Sequence, residues 1–159
     1  MKIRVGSGFD AHKFAADRKL IVGGVVIPFD KGLAGHSDAD VLMHAVTDAV
    51  IGITLHKDIG ALFPDSDNKY KDIDSRILLR EAFRLVRMEG WKIVNVDSTI
   101  IAQLPKMAPY IYDMRKNIAE DLEIDIDDVS VKATTTEKMG FTGRGEGIAS
   151  HATVLIEKI

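Results

Sequence analysis

The chain contains no cysteine. A disulfide framework and a thiolate metal site are therefore excluded, and any metal must be held by histidine, aspartate or glutamate. Proline is also scarce, with four in 159 residues. No Pro/Ser-rich linker, low-complexity tract or internal repeat divides the chain, so one domain over residues 1–159 is expected. No stretch approaches the ~18 apolar residues of a membrane span. The opening Met1-Lys2-Ile3-Arg4-Val5 lacks the apolar run of a signal peptide. The expectation is a cytoplasmic protein with no membrane association. An excess of positive charge is missing too. Lys+Arg number 21 against 24 Asp+Glu, a formal net charge of −3. That excludes a general nucleic-acid coat but not a phosphorylated small molecule, whose charge a local patch or a metal can meet.

What is present is ordinary globular composition, 46% hydrophobic and 28% charged, which argues against disorder. Ile3 to Val5 begins a strand running toward His12. Leu20–Val22 and Val25–Ile27, split by Gly23-Gly24, read as a hairpin. A loop with Gly32 and Gly35 leads to a helix from about Asp38 to Leu55, where Val41, Leu42, Ala45, Val46, Ala49, Val50 and Ile53 keep helical spacing. Asp58 to Asp72 reads as a loop. Asp74 or Ser75 caps a second helix ending before Gly90, with Ile77, Leu78, Ala82, Leu85 and Val86 inward. Trp91 to Ala102 is a strand, and Pro105 and Pro109 bracket a turn into a third helix ending near Leu122. Val129–Thr134 is a strand, Gly140 to Gly147 an irregular loop, and Ile148 to Ile156 the last strand. This order predicts an α+β fold, a mixed sheet with helices packed on one face.

Five constellations carry chemistry. In Asp10-Ala11-His12, extended chain puts carboxylate and imidazole on one side, as two ligands of one metal stand. The block His36-Ser37-Asp38-Ala39-Asp40, then His44 and Asp48, gathers two His, one Ser and three Asp within thirteen residues. Asp40, His44 and Asp48 form one helical stripe, which a solvated face would also explain. Against that plain alternative, His36 and Ser37 lie just before a helix N-terminus, which favours an anion. Asp10, His12 and His44 would make a three-ligand zinc site with an open fourth position. The third constellation is the loop Asp58-Ile59-Gly60…Phe63-Pro64-Asp65-Ser66-Asp67, whose carboxylates suit a polyol or simply cap turns. The fourth runs from Lys132 through Thr134, Thr135, Thr136, Glu137 and Lys138 to Phe141, Arg144 and Gly147. Its hydroxyls and cations suit a diphosphate, and Glu137 a hard cation such as Mg²⁺. Thr134 and Glu137 also have the spacing of a capping box. The fifth, Ala102-Gln103-Leu104-Pro105-Lys106-Met107-Ala108, follows a strand end and could read a flat base edge with backbone groups.

Taken in order, these segments resemble the 2-C-methyl-D-erythritol 2,4-cyclodiphosphate synthase family. The likeness rests on Gly8-Phe9-Asp10-Ala11-His12, the His36 to Asp48 block, Asp58-Ile59-Gly60 and Phe63-Pro64-Asp65. It extends through Asp74-Ser75-Arg76, Asn95-Val96-Asp97, Pro105-Lys106-Met107 and Lys132 to Gly147. Ala39 stands where many members have glycine. The resemblance implies a lyase of the non-mevalonate (MEP) route to isoprenoid precursors. It would convert 4-diphosphocytidyl-2-C-methyl-D-erythritol 2-phosphate to the 2,4-cyclodiphosphate and CMP. It implies a homotrimer around a threefold axis with sites between subunits, zinc on Asp10, His12 and His44, and a second divalent cation, Mg²⁺ or Mn²⁺, on Glu137. His36 and Thr135 would stabilise the transition state and Ser37 would assist at the phosphate. Asp48, Asp58 and Gly60 would meet the methylerythritol hydroxyls, Ala102 to Ala108 would enclose cytosine, and Thr134, Thr135, Thr136 and Arg144 would line the nucleotide side. Phe9, Phe141, Arg144 and Glu146 are the residues to examine for an isoprenoid diphosphate in an axial channel. Two other readings stay open, a zinc-dependent phosphoesterase and a non-catalytic trimer that binds isoprenoid diphosphates.

Overall fold

A computed structural model describes residues 1–159. The strands are β1 (Ile3–Ala15), β2 (Leu20–Val22), β3 (Val25–Ile27), β4 (Gly32–Leu33), β5 (Trp91–Ile101), β6 (Val129–Thr134) and β7 (Gly147–Lys158). The long helices are α1 (Val41–Leu55), α3 (Ser75–Met88) and α4 (Ile111–Leu122), and α2 (Ile59–Leu62) and α5 (Gly140–Gly143) are single turns. Five strands form one sheet in the order β4-β1-β7-β5-β6, and β2 and β3 form the separate hairpin. β7 runs antiparallel to both β1 and β5, whereas β5 and β6 are parallel. A parallel pair needs a crossover, and α4 lies within it. The fold is mixed α+β, and no helix is long and apolar enough to cross a membrane.

Alternation along the strands decides which face the helices cover. Ile148, Ser150, Ala152, Val154 and Ile156 of β7 are all buried. In β5 the inward set is Trp91, Ile93, Val96, Ser98 and Ile100. Strict alternation from Ile93 would turn Asn95 inward; an irregularity between Ile93 and Asn95 resets the phase and keeps it out. On the opposite face Val5 and Phe9 are exposed at 63% and 59%.

β1 carries glycine where its neighbours carry apolar side chains. Gly6 and Gly8 sit opposite Val154 and Ala152, beneath α1. A Cβ on Gly6 would lie 2.1 Å from the Ala49 carbonyl oxygen, and one on Gly8 2.0 Å from that of Ala45. Only hydrogen at these two positions lets the helix backbone rest on the strand. α1 is consequently buried around most of its circumference, from Val41 to Ile51, between the sheet and α3. α3 is one-sided, with Leu78, Leu79, Ala82, Phe83 and Val86 inside and Arg80, Arg84 and Arg87 outside. Buried Asp121 of α4 accepts from Arg76 Nε at 2.8 Å and from Arg80 Nη1 at 2.9 Å, stitching α4 to α3.

Asp40 is the N-cap of α1. Its carboxylate accepts from Met43 N, and also from Gly23 N and Gly24 N at 2.8 and 2.7 Å. One buried group thus fixes both the helix start and the β2–β3 turn. Burial, with the neighbouring charge of Asp38, pushes its carboxyl from 3.8 up to about 6, against the three backbone N–H groups. Between those values the native state holds the proton more tightly than the unfolded chain, so this group's contribution to stability falls as pH rises across that window.

Several sequence expectations need correction. The first helix begins at Val41, not Asp38, because Asp38 and Asp40 are spent on capping and on Ser75. Ile77 is 46% exposed and Leu85 only half-buried; Leu79 and Phe83 fill the inward stripe instead. The Asp58–Asp72 loop contains α2 and a 3₁₀ turn at Asn68–Tyr70, started by Asp58 and Asp67 as caps. The Gly140–Gly147 loop contains α5, and the short β4 carries too little pattern to be seen.

Replacing Gly8 by Ala should destabilise the protein by about 1–3 kcal/mol, because the methyl must displace helix backbone rather than a mobile side chain. Urea unfolding would show this as a lower midpoint with an unchanged slope; an unchanged midpoint would mean the contact yields without cost.

Candidate active site

The pleat of β1 puts Asp10 and His12 on the covered face and turns Ala11 out to solvent. α1, lying on Gly6 and Gly8, brings His44 over the same spot. Asp10 Oδ2 lies 2.8 Å from His12 Nε2 and 3.1 Å from His44 Nδ1, and the two ring nitrogens are 3.2 Å apart. Three donor atoms therefore converge from two elements. Metal–ligand bonds of about 2.0–2.2 Å in a tetrahedron put neighbouring donors about 3.3–3.6 Å apart. The triad is close to that spacing and could hold a metal ion.

The remote ring nitrogens agree with this. His12 Nδ1 donates to the Ala34 carbonyl at 2.8 Å, leaving Nε2 for the centre. His44 Nε2 lies 2.8 Å from Ser75 Oγ and 3.1 Å from Ser37 Oγ, leaving Nδ1 for the centre. Metal-binding histidines are tied in this way by their second nitrogen. Burial raises the Asp10 carboxyl, but hydrogen bonds and charge from His12 and His44 outweigh it and hold the group below its ordinary value. Burial lowers His12, but the Asp10 hydrogen bond and charge override it and raise the imidazole above its ordinary 6.5.

The triad opens into a cleft of about 210 Å³ lined also by Gly35, His36, Ser37, Ile59, Gly60, Phe63, Asp65, Tyr70 and Leu78. His36 is half-buried, and its Nε2 donates to the Asp67 carbonyl at 3.2 Å. Arg18 donates to the carbonyls of Gly35 and Ser37, both at 2.8 Å, and so clamps the loop on either side of His36. Asp48 accepts from Ile59 N at 2.9 Å, which pins the start of α2 to α1. Burial, helped by the charges of Asp58 and Asp10, raises the Asp48 carboxyl despite that hydrogen bond. Asp58 caps α2, while Pro64, Ser66 and Asp67 lie outside the cleft wall.

A second cavity of about 430 Å³ is lined by Ala102, Gln103, Leu104, Pro105, Lys106, Met107 and Ala108 together with Ala133, Thr134 and Thr135. Its floor is the end of the parallel β5–β6 pair, continued by Ala102 N donating to the Thr134 carbonyl at 3.0 Å. The loop after β6 folds over Gln103, whose Oε1 accepts from Lys138 N at 3.1 Å. The capping box that the spacing of Thr134 and Glu137 would allow does not form. Glu137 N bonds Thr135 Oγ1, Thr134 Oγ1 bonds the Thr135 carbonyl, and no helix starts there. Glu137 and Lys138 instead take left-handed φ of 53° and 65°, and the Glu137 side chain is exposed. Thr136, Glu137, Phe141 and Arg144 line neither cavity, and Arg144 pairs with Glu146 at 2.7 Å.

The structure brings into one cleft the triad, His36, Ser37, Ile59, Gly60, Phe63 and Asp65, which come from three separate constellations of the sequence. Sequence reasoning missed Tyr70 and Leu78 in the wall, and it read Ser75 only as a cap. The cap is Asp74, which accepts from Arg76 N, and this frees the Ser75 hydroxyl for His44.

Comparison with known proteins agrees with this geometry. The YgbB family model matches residues 3–157. The chain is 61% identical over 156 residues to the 2-C-methyl-D-erythritol 2,4-cyclodiphosphate synthase of Actinobacillus succinogenes, spanning 98% of this chain and 99% of that one. It is equally 61% identical over 154 residues to the enzyme of that name from Haemophilus influenzae, spanning 97% and 98%. Among solved structures, the bifunctional IspDF of Campylobacter jejuni superposes with a TM-score of 0.95 at 44% identity, over 99% of this chain and 43% of that longer one. A Plasmodium falciparum IspF in complex with CDP superposes with a TM-score of 0.86 at 36% identity, over 98% and 96%. The chain belongs to the YgbB family, that of the 2-C-methyl-D-erythritol 2,4-cyclodiphosphate synthases.

Metal uptake by the triad must displace any proton on His12. Because that imidazole titrates above 6.5, zinc affinity should fall as pH drops through its raised value, with proton release on binding. Chelator competition between about pH 6 and pH 8 reads this directly; a pH-independent affinity would remove His12 from the ligand set.

Proposed function

We propose that this chain is a 2-C-methyl-D-erythritol 2,4-cyclodiphosphate synthase of the MEP route to isoprenoid precursors. It converts 4-diphosphocytidyl-2-C-methyl-D-erythritol 2-phosphate to 2-C-methyl-D-erythritol 2,4-cyclodiphosphate and CMP. The observation that carries this is the convergence of Asp10, His12 and His44 at the base of a cleft beside His36 and Ser37, in a chain about 60% identical to proteins of that name. An oxygen of the 2-phosphate attacks the β-phosphorus, the bond from that phosphorus to the bridging oxygen breaks, and CMP leaves with the electron pair. The substrate supplies its own nucleophile, so no activated Ser or Cys is required. The protein's task is to fold the substrate and balance charge.

The cleft of the triad holds the methylerythritol end. Asp65 and the Ile59–Gly60 turn face its hydroxyls, with Asp48 and Asp58 holding that turn in place. His36 and Ser37 meet the attacking phosphate at the cleft mouth. The second cavity takes cytosine, with Ala102 to Ala108 as walls and Thr134 and Thr135 toward the phosphates. The CDP held by the Plasmodium falciparum relative supports a cytidine nucleotide as ligand. Zinc on Asp10, His12 and His44, and Mg²⁺ or Mn²⁺ on Glu137, would supply Lewis-acid neutralisation of phosphate charge. Glu137, Thr136 and Arg144 contribute to the nucleotide side.

One substrate must reach both cavities, and they are built from different parts of the chain. A homotrimer with composite sites satisfies that need. The uncovered sheet face, with Val5 and Phe9 exposed, supports burial against other copies. Phe9, Phe141 and Glu146 are the residues to examine for an axial channel able to hold an isoprenoid diphosphate. A cytoplasmic location is proposed as well; no helix is long and apolar enough to cross a membrane.

Product analysis tests the reaction. Turnover in ¹⁸O-water should yield a cyclic diphosphate free of label; a linear product carrying label would identify a zinc-dependent phosphoesterase instead.

Glu137→Gln should lower turnover by orders of magnitude while bound zinc and melting temperature hardly change, since the side chain is exposed and caps no helix. Mixing Glu137→Gln with His44→Ala subunits should restore part of the activity, because some composite sites then receive two intact halves. Near-normal turnover with an early melt would make Glu137 structural, and mixtures as inactive as their components would contradict shared sites.

A further inference from the structure

We infer that Asp38 and Ser75 act as a relay that fixes the tautomer and the aim of His44, making both positioning residues for the triad. The inference rests on Asp10, His12 and His44 being the metal site. Its basis is the polarity of a short chain of hydrogen bonds. Ser75 Oγ donates to Asp38 Oδ1 at 2.5 Å. A carboxylate oxygen only accepts, so the serine proton is committed to Asp38. The serine oxygen is then left as an acceptor, 2.8 Å from His44 Nε2. His44 Nε2 is therefore the donor toward Ser75, and Nδ1, which faces Asp10 Oδ2 and His12 Nε2 at 3.1 and 3.2 Å, is the nitrogen left for a metal ion, whose binding would displace any proton shared there with Asp10.

The relay is held rigidly at its far end. Asp38 accepts from Ser75 N and from Asp40 N, both at 3.1 Å, and its own N–H donates to the Ile73 carbonyl at 3.1 Å. Ser75 is 0% exposed, so water does not compete for its hydroxyl. Ser37 Oγ, 3.1 Å from His44 Nε2, already accepts from Ala39 N and stands as a longer, secondary acceptor for the same proton. The two histidines differ here. A backbone carbonyl, Ala34, sets the tautomer of His12, whereas side chains set that of His44. His44 is thus the ligand whose aim a substitution elsewhere can change.

The test uses the full chain and two readouts, zinc affinity by chelator competition and ¹⁵N spectra of the histidine rings in metal-free protein. The unsubstituted protein should show His44 protonated on Nε2. Ser75→Ala and Asp38→Asn should each weaken zinc binding by about 10–100-fold and shift His44 away from that tautomer while His12 stays unchanged. A His44 whose Nε2 is unprotonated in the unsubstituted protein overturns the relay, whatever the variants do. So does a Ser75→Ala protein with parental zinc affinity and an unmoved tautomer. His44→Ala separates the relay from the triad itself. If it keeps zinc, the triad assignment itself falls; if it loses zinc while Ser75→Ala does not, the relay alone falls.

Discussion

The contact between α1 and β1 over Gly6 and Gly8 is the constraint on which the rest of the structure depends. It is a backbone-to-backbone approach, made where a methyl would stand about 2 Å from a helix carbonyl. The approach removes side chains from between the two elements, so the helix register over the strand is set by main-chain geometry. His44 precedes Ala45, the residue whose carbonyl covers Gly8, and Asp10 follows Gly8 by one pleat. The packing that buries α1 therefore also sets the separation of the three donor atoms. Core and chemistry share one contact, and the fold cannot loosen there without moving the triad.

Around this contact the molecule uses aspartates as joints. Asp40 ties the β2–β3 turn to the start of α1, Asp48 ties α2 to α1, and Asp38 ties the loop before α1 to the start of α3. Each accepts from at least one main-chain N–H that no regular element would satisfy, which repays part of the cost of burying a carboxylate. Density of acidic residues alone would suggest a solvated surface or a cation cluster. Their hydrogen bonds show most of them to be scaffolding, with Asp10 alone aimed into the convergent triad.

Much of this was legible in the sequence, for definable reasons. The long helices and strands announce themselves through period, and the D-x-H pair points one way because strand geometry leaves no choice. His44 could be joined to that pair only as a hypothesis, since no local rule states which helix face meets which strand face. Gly6 and Gly8 are silent in sequence because a glycine signals permission and not contact. The capping-box spacing of Thr134 and Glu137 was misleading. The same residue types turn the chain through left-handed conformations at Glu137 and Lys138 instead, where the chain folds over Gln103. Ala39 adopts a left-handed φ of 58° while fully buried, at a cost of roughly 1–2 kcal/mol for a side-chain-bearing residue. Glycine would adopt that conformation without the cost. Ser75 escaped notice because a serine at a helix start has a ready structural explanation, and only its distance to His44 reveals another use.

The triad is a convergence of three donor atoms from two elements at one point, Asp10 by a carboxylate oxygen, His12 by Nε2 and His44 by Nδ1. Diffraction from zinc-loaded crystals, measured on both sides of the zinc absorption edge, tests it most directly. A single strong anomalous peak per subunit is expected within about 2.0–2.2 Å of those three atoms, with a fourth position open to the cleft. A peak elsewhere, or one bound through His44 Nε2 with the ring turned over, would contradict it.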